Sequence, residues 1–398
     1  MTGTGFAPLA GLRVIEMSHM IMGPSCGMFL AFLGAEVIKV EPPQGDKTRN
    51  LTGMGRGFFP TFNRGKKSVT LDLKKAEGRV ALEQLLETAD VFVENFRDSS
   101  LAAMGFAPEV LRERFPRLIV ASCKGFLHGP YATRTAMDEV VQMMTGMAYM
   151  TGPTGRPLRI GSSANDIMGG LFGAFSVLAA LLQHQVDGKG HAIRVGLFEN
   201  CLLLVAQHMA QFDIEGTEAP PMPEREFSWP VYDIFRTGDG KQIFLGAVTE
   251  GQWAKLCDLL GLEELKTDPR LQTRPDQIAA RDWTLPIIEQ AVAQQCYAPF
   301  TEQLELQGIP FSPIARPAEM YEDPHVNRPG GLFTSALPGG GSFRAPGLPF
   351  EVDGTPAVSA DTDLPPVGDD TAEILGQLGL TEEEILAASG TGIREAVG

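Results

Sequence analysis

The 398-residue chain is short of cysteine, histidine and positive charge, and each shortage closes off a class of function. Its five cysteines (Cys26, Cys123, Cys201, Cys257, Cys296) are odd in number and far apart, with no CxxC and no Cys/His ligand spacing. That argues against both a disulfide framework and a zinc site, and fits a reducing cytoplasm. The six histidines show no HExxH spacing. With 33 basic against 49 acidic side chains the net charge is −16, which disfavours nucleic acid or an anionic membrane as partner of the whole molecule. No GxGxxG follows the opening strand, no GxxxxGK[ST] phosphate loop occurs and no GxSxG nucleophile elbow is found. The start, MTGTGFAPLAG, lacks the basic and apolar regions of a secretory signal, so a cytoplasmic location is expected. The longest uncharged stretch, 167–186, contains Gly169, Gly170, Gly173, Gln183, His184 and Gln185, and predicts a buried core helix rather than a membrane span.

What is present is ordinary for a globular protein, with 43% apolar and 21% charged residues on a chain long enough for two domains. Short β-type runs alternate with helical ones over the first 125 residues. GLRVIEM (11–17), EVIKVE (36–41), KSVTLDL (67–73), DVFVENF (90–96) and RLIVASC (117–123) read as strands, and 25–34 and 76–89 as helices. Such alternation predicts an α/β fold with a mainly parallel sheet covered by helices. A long helix at 167–184, a strand at 191–198 and a helix at 199–212 follow. Proline then punctuates 216–230, and a hairpin centred on Gly238-Asp239-Gly240 opens a smaller unit of different texture. The chain closes with a helix pair in DDTAEILGQLGLTEEEILAASG.

Charge is unevenly spread. Residues 39–79 carry ten basic and four acidic side chains, whereas 351–398 carry eleven acidic and one basic. The first segment reads either as solvated lysines between strands or as a rim for a small polyanionic ligand. Within GSSANDIMGG, Asp166 stands just ahead of the long helix, where an N-cap carboxylate accepts backbone N–H bonds and stays ionised. Gly161, Gly169 and Gly170 are read as bare backbone open to a ligand. A carboxylate so placed can attack an activated acyl group.

Ordered blocks along nearly the whole chain resemble the class III CoA-transferases, the formyl-CoA transferase and carnitine CoA-transferase family that includes the α-methylacyl-CoA racemases. The blocks are PLAGLRVIEMSHMIMGPSCGMFLAFLGAEVIKVEPPQGDKTR, NRGKKSVTLDLKKAEG, ADVFVENFRDSSLAAMGF, RLIVASCKGF, GSSANDIMGG and PPVGDDTAEILGQLGLTEEEI. The resemblance implies a Rossmann-like large domain from residues 1–215 and 330–398, a small inserted α+β domain at 231–313, and linkers at 216–230 and 314–329. It also implies an interlocked homodimer, with CoA in a cleft completed across the domains.

By motif, Asp166 falls on the family's catalytic aspartate, which attacks the donor acyl-CoA and passes through mixed-anhydride and aspartyl-CoA stages. The CoA-contact blocks fall on His19, Met20, Ile21 and Met22, on Leu71 and Lys74, on Asn95, Phe96 and Arg97, on Met104, and on Met137 and Asp138. No permanent cofactor or metal is implied; the CoA thioester is substrate, its partner a free carboxylic acid such as a dicarboxylate. Pro42 and Ala103 stand where formyl-type enzymes carry basic residues, so phosphate contacts are expected to shift to Arg49, Arg97 or Lys74. Ile21 replaces the formyl-type glutamine. Met137 occupies the racemase histidine position, which favours transfer over the alternative, an acyl-CoA isomerase of the same fold.

Overall fold

The run GLRVIEM forms β1 (Arg13–Met17), and its turn leads into α1 (Met22–Phe32), which starts three residues earlier than the sequence suggests. The structure is a computed structural model and describes residues 6–225, 228–357 and 361–390. The expected linker at 216–230 and the C-terminal end of the expected large domain lie partly outside these residues. Next come β2 (Glu36–Glu41), a short α2 (Phe58–Phe62), β3 (Lys67–Thr70), α3 (Ala76–Glu87) and β4 (Val91–Glu94). Two short helices, α4 (Asp98–Ala103) and α5 (Pro108–Arg114), precede β5 (Ile119–Lys124). The sequence reading passes over both because each offers less than two full turns of apolar periodicity. They complete the crossover that parallel strands require. After α6 (Asp138–Met144) and α7 (Met147–Thr151) come α8 (Ala164–Asp187), β6 (Ala192–Gly196) and α9 (Leu197–Glu215).

All six strands are parallel, in the order β3-β2-β1-β4-β5-β6. Strand order therefore reverses between β1 and β4. Burial on both faces explains why these strands read as near-continuous apolar runs. One face carries a core with Met22, Cys26 and Leu30 of α1, Ala174 and Val177 of α8, and Cys201 of α9. The other buries Leu82 and Leu85 of α3 with Ile374 and Ile385 from the C-terminal helix pair, Thr371–Gln377 and Glu382–Ser389.

The chain divides into two compact units, Met1–Pro223 with Asn327–Gly398, and Glu224–Val326. The second holds a three-stranded antiparallel sheet, β7 (Val231–Arg236), β8 (Gln242–Ala247) and β9 (Phe311–Pro313), around which Trp253, Leu256, Ile288 and Phe300 pack from helices. Its β7–β8 hairpin turns at Gly238-Asp239-Gly240, where Gly240 takes a φ of +81° that favours glycine.

Among the described residues α8 is the one helix long and apolar enough to cross a membrane. Its glycines instead key it onto α1. A Cβ at Gly170 would lie 2.0 Å from Ser25 Oγ, 2.7 Å from the Met22 carbonyl and 2.9 Å from the Cys26 nitrogen. A Cβ at Gly169 would meet only the flexible Met22 side chain, at 2.8 Å for its terminal carbon. Gly169 and Gly170 thus serve close helix packing, and the expected ligand approach over them is corrected; only Gly161 faces open space.

The two positions should respond differently to alanine. In an open helix Gly→Ala gains about 1 kcal/mol. At Gly170 backbone atoms block the methyl, so a net loss of about 2 kcal/mol is expected for Gly170→Ala. Gly169→Ala should stay within about 1 kcal/mol of wild type, since a methionine can move. Chemical denaturation of the two variants checks this, and equal effects would remove the helix-packing explanation.

Candidate active site

A parallel sheet presents ligands with its carboxyl edge, and the crevice opens where the strand order reverses. Here that point lies beyond β1 and β4, and it brings together two blocks singled out in the sequence, His19–Met22 and Asn95–Arg97. Asn95 clasps the first turn with both ends of its amide: its Oδ1 accepts the His19 N–H at 3.1 Å and its Nδ2 donates to the His19 carbonyl at 2.8 Å. The His19 and Phe96 rings lie 5.5 Å apart. His19 and Met20 are exposed, and Met20 adopts a φ of +64° that is rare for a side-chain-bearing residue. The chain then turns inward. Ile21 is buried with Met28, Phe32 and Phe62, and Met22 belongs to the core under α8, so only their backbone can face a ligand.

Buried charges shape this edge. Lys124, at the end of β5, reaches Glu94 Oε1 at 2.8 Å and Oε2 at 2.9 Å, and donates to the Phe96 carbonyl. Glu94 in turn accepts the Phe96 N–H at 2.9 Å. The pair therefore fixes the backbone of the β4 turn. On the other side Glu16 lies between Lys66 at 2.6 Å and Lys39 at 3.3 Å. Arg49 forks onto Glu41 with bonds of 2.7 and 2.6 Å and donates to the Pro365 carbonyl.

This changes the meaning of the basic segment. Lys39, Arg64 and Lys66 are buried and Arg49 is committed to Glu41, so the expected shift of phosphate binding to Arg49 is corrected. Lys47, Arg56, Lys74 and Lys75 remain exposed. Arg97 is also exposed, and one guanidinium nitrogen donates to Thr135 Oγ1 at 3.0 Å. Leu71 is a core residue, while Phe96 and Met104 pack half-buried against the same core beside Leu73.

Asp166 lies on the α8 stripe that continues through Gly169, Gly170 and Gly173. Gly170 touches Met22 and Ser25, so Asp166, one helical turn earlier, reaches the start of α1 beside the crevice. It is not the N-cap: Ser163 holds that place, and Asp166 sits in the first turn with its carboxylate free of hydrogen bonds among the described residues. The expectation of an ionised, capped carboxylate is corrected. The side chain keeps partial solvent access, yet most of what surrounds it is protein. That burial, helped by the charge of Asp138 and opposed by Arg159, pushes its pKa up to about 7.

Asp138 begins α6 and is buried, and burial raises its pKa as well. The neighbouring Met137 is largely exposed. Gln142 donates to Asp138 Oδ1 at 2.7 Å and accepts the Ile160 N–H at 2.9 Å, tying α6 to the loop before α8. Arg159 braces that loop through the carbonyls of Ile160 and Ser162, at 3.1 and 3.0 Å. Asn200 of α9 donates to the Asn165 carbonyl at 2.8 Å and so anchors the residue next to Asp166. Gln142, Arg159, Asn165, Asn200, Glu94 and Lys124 were all missed in the sequence. A glutamine one turn after Asp138, and charges inside apolar strand runs, were the signals available. The result is a carboxyl with a raised pKa and no hydrogen-bond partner among the described residues, set on a braced helix start, an arrangement suited to attack on an acyl group.

The family model described as CoA-transferase family III matches residues 9–371. The chain is 33% identical to an acyl-CoA transferase of Fusarium pseudograminearum, over 97% of this chain and 88% of that one. It is 31% identical to a succinate–glutarate CoA-transferase of Agrobacterium fabrum, over 93% and 96% of the two chains. A crystal structure of a CAIB/BAIF family protein from Brucella suis superposes with a TM-score of 0.85 at 31% identity, covering 94% of this chain and 99% of that one. The chain belongs to CoA-transferase family III and is an enzyme of that class, one that uses CoA thioesters.

Proposed function

We propose that Asp166 is the nucleophile of an acyl-CoA:carboxylate CoA transfer that runs through covalent aspartyl intermediates. The observation that carries this is Asp166 in the first turn of α8, free of hydrogen bonds among the described residues, on the helix whose Gly169 and Gly170 pack on the start of α1. Its carboxylate oxygen attacks the donor thioester carbonyl, the C–S bond breaks, and CoA leaves as thiolate from a mixed anhydride. The thiolate attacks the aspartyl carbonyl, releasing the donor acid and leaving an aspartyl-CoA thioester. The acceptor carboxylate attacks that thioester and again expels thiolate. Attack of the thiolate on the acceptor's carbonyl gives the new acyl-CoA and regenerates Asp166. The acyl activation is conserved throughout, provided water is kept out.

The acids are dicarboxylates of the succinate type, a reading supported by the name of the Agrobacterium relative. The working form is a homodimer. Leu171, Phe175, Leu182 and Val186 form an exposed apolar stripe along α8, and Met209 and Phe212 of α9 are exposed beside a cavity of about 730 Å³. Apolar surface of this extent marks an interface. Sedimentation should give twice the 42.9 kDa chain mass, and Phe175→Asp should shift it to monomer. A monomeric wild type would end the dimer reading.

Two chemical tests address Asp166. Asp166→Ala should lower transfer between succinyl-CoA and glutarate by at least ~10³-fold while the protein still folds, and hydroxylamine should trap a hydroxamate on Asp166 only in acylated wild type. Retained transfer in the variant would dismiss the aspartyl route.

The raised pKa adds a pH signature. The attacking group must be ionised, so kcat/KM should climb about tenfold per pH unit up to about 7 and then level off. Stability runs the other way. Folded Asp166 holds its proton between the ordinary carboxyl range and about 7, so its contribution to stability falls as pH rises through that window. Asp166→Asn should therefore melt higher than wild type at about pH 8 and equal to it at about pH 4.

A further inference from the structure

The turn between β1 and α1 is held from outside by side chains at four successive backbone groups. Lys39 donates to the Ser18 carbonyl at 2.7 Å, Asn95 takes the His19 N–H and carbonyl at 3.1 and 2.8 Å, and Thr48 Oγ1 accepts the Met20 N–H at 3.2 Å. Met20, at a φ of +64°, is the strained member of the series. Without an outside acceptor for its N–H, a turn with a side chain at this φ would relax toward the ordinary region.

Thr48 is itself fixed. It is 3% exposed, and its N–H donates to Asp46 Oδ1 at 2.8 Å. The other Asp46 oxygen faces Lys39 Nζ at 3.2 Å, and the Asp46 N–H donates to Glu41 Oε2 at 2.8 Å. The hydroxyl therefore hangs from the same buried charges that hold Ser18.

We propose that Thr48 is a positioning residue for acyl-CoA: its hydroxyl keeps the Met20 turn in the conformation that opens the crevice between β1 and β4. The proposal rests on the reading of that crevice as the CoA site. Thr48 touches no substrate. It sets the fraction of molecules whose turn is competent to bind, and apparent affinity scales with that fraction. Chemistry after binding is unaffected, so the effect falls on KM and on the dissociation constant of free CoA rather than on kcat.

Threonine offers a clean test because its two neighbours in shape separate hydroxyl from volume. Thr48→Val keeps the volume and loses the acceptor, leaving the Met20 N–H unsatisfied. It should weaken free CoA binding, measured by calorimetry, and raise the acyl-CoA KM by roughly five- to hundredfold, with kcat within about twofold. Thr48→Ser keeps the acceptor and should stay within about twofold of wild type in all three quantities. A packing role gives the reverse order, valine tolerated and serine impaired, and that order, or wild-type CoA binding by Thr48→Val, would overturn the proposal. If the valine variant does not fold, Thr48→Ala is measured in its place against the same criteria. Calorimetry keeps the two readings apart: wild type that binds CoA but transfers nothing breaks the functional reading alone, and wild type that binds no CoA breaks both.

Discussion

Glu16 is the group on which the arrangement of the large unit turns. It is fully buried on the central strand, clasped by Lys66 and Lys39, and its carboxylate passes so close beneath α1 that a Cβ at Gly27 would lie 1.8 Å from Oε2. Removing such charges from water costs several kcal/mol per ion, so the cluster endures only because each charge is answered. Glu16 and Asp46 balance Lys39 and Lys66, Glu41 balances Arg49, and Glu94 balances Lys124. Ion pairs of this kind add little net stability over well-packed apolar groups. What they supply here is geometry: Lys39, Glu41 and the Glu94–Lys124 pair hold backbone groups of turns at the carboxyl edge of the sheet, and Lys66 holds the Pro24 carbonyl in the first turn of α1.

Helix α1 carries that geometry across to Asp166. It is keyed below by Gly27 over Glu16 and above by Ser25 under Gly170. The Ser25 hydroxyl is turned back onto its own helix, bonding the carbonyls of Ile21 and Met22 at 2.8 and 3.0 Å, which leaves room for the α8 backbone. A shift of the β1 turn would therefore be felt on both faces of α1, the one over Glu16 and the one under α8. The β1 turn and Asp166 are thus linked through one packed stack: sheet edge, α1, α8.

The strands were legible in the sequence because a parallel sheet writes itself as apolar runs: EVIKVE predicts β2 over 36–41, and β2 spans those residues. Asp166 and the two turn blocks were legible as motifs. Their environment was not. The pairing of Arg49 with Glu41, eight residues apart, and of Lys66 with Glu16, fifty apart, depends on strand order, which charge counting along the chain does not reveal. In a segment that looks like a cationic surface, Lys39, Arg64 and Lys66 are buried and Arg49 is paired, while Lys47, Arg56, Lys74 and Lys75 stay exposed. The same limit applies to α8, whose glycines fit either a ligand or a neighbouring helix until α1 is placed against them.

The altered protonation of Asp166 bears on the proposed chemistry beyond ionisation. A carboxylate with a raised pKa is one whose surroundings disfavour its negative charge, by about 1.4 kcal/mol for each pKa unit. Protonation is one way to remove that charge, and acylation is another. The mixed anhydride and the aspartyl thioester are both neutral at this side chain, so burial and the repulsion from Asp138 that hold the pKa near 7 also favour the covalent stages over the free anion. An Asp166 capped by backbone N–H groups would have the opposite bias, with a stable anion and costly intermediates. In the proposed chemistry, its position in the first turn, past the N-cap and out of reach of capping bonds, is thus the feature that would let one aspartate be acylated and released repeatedly.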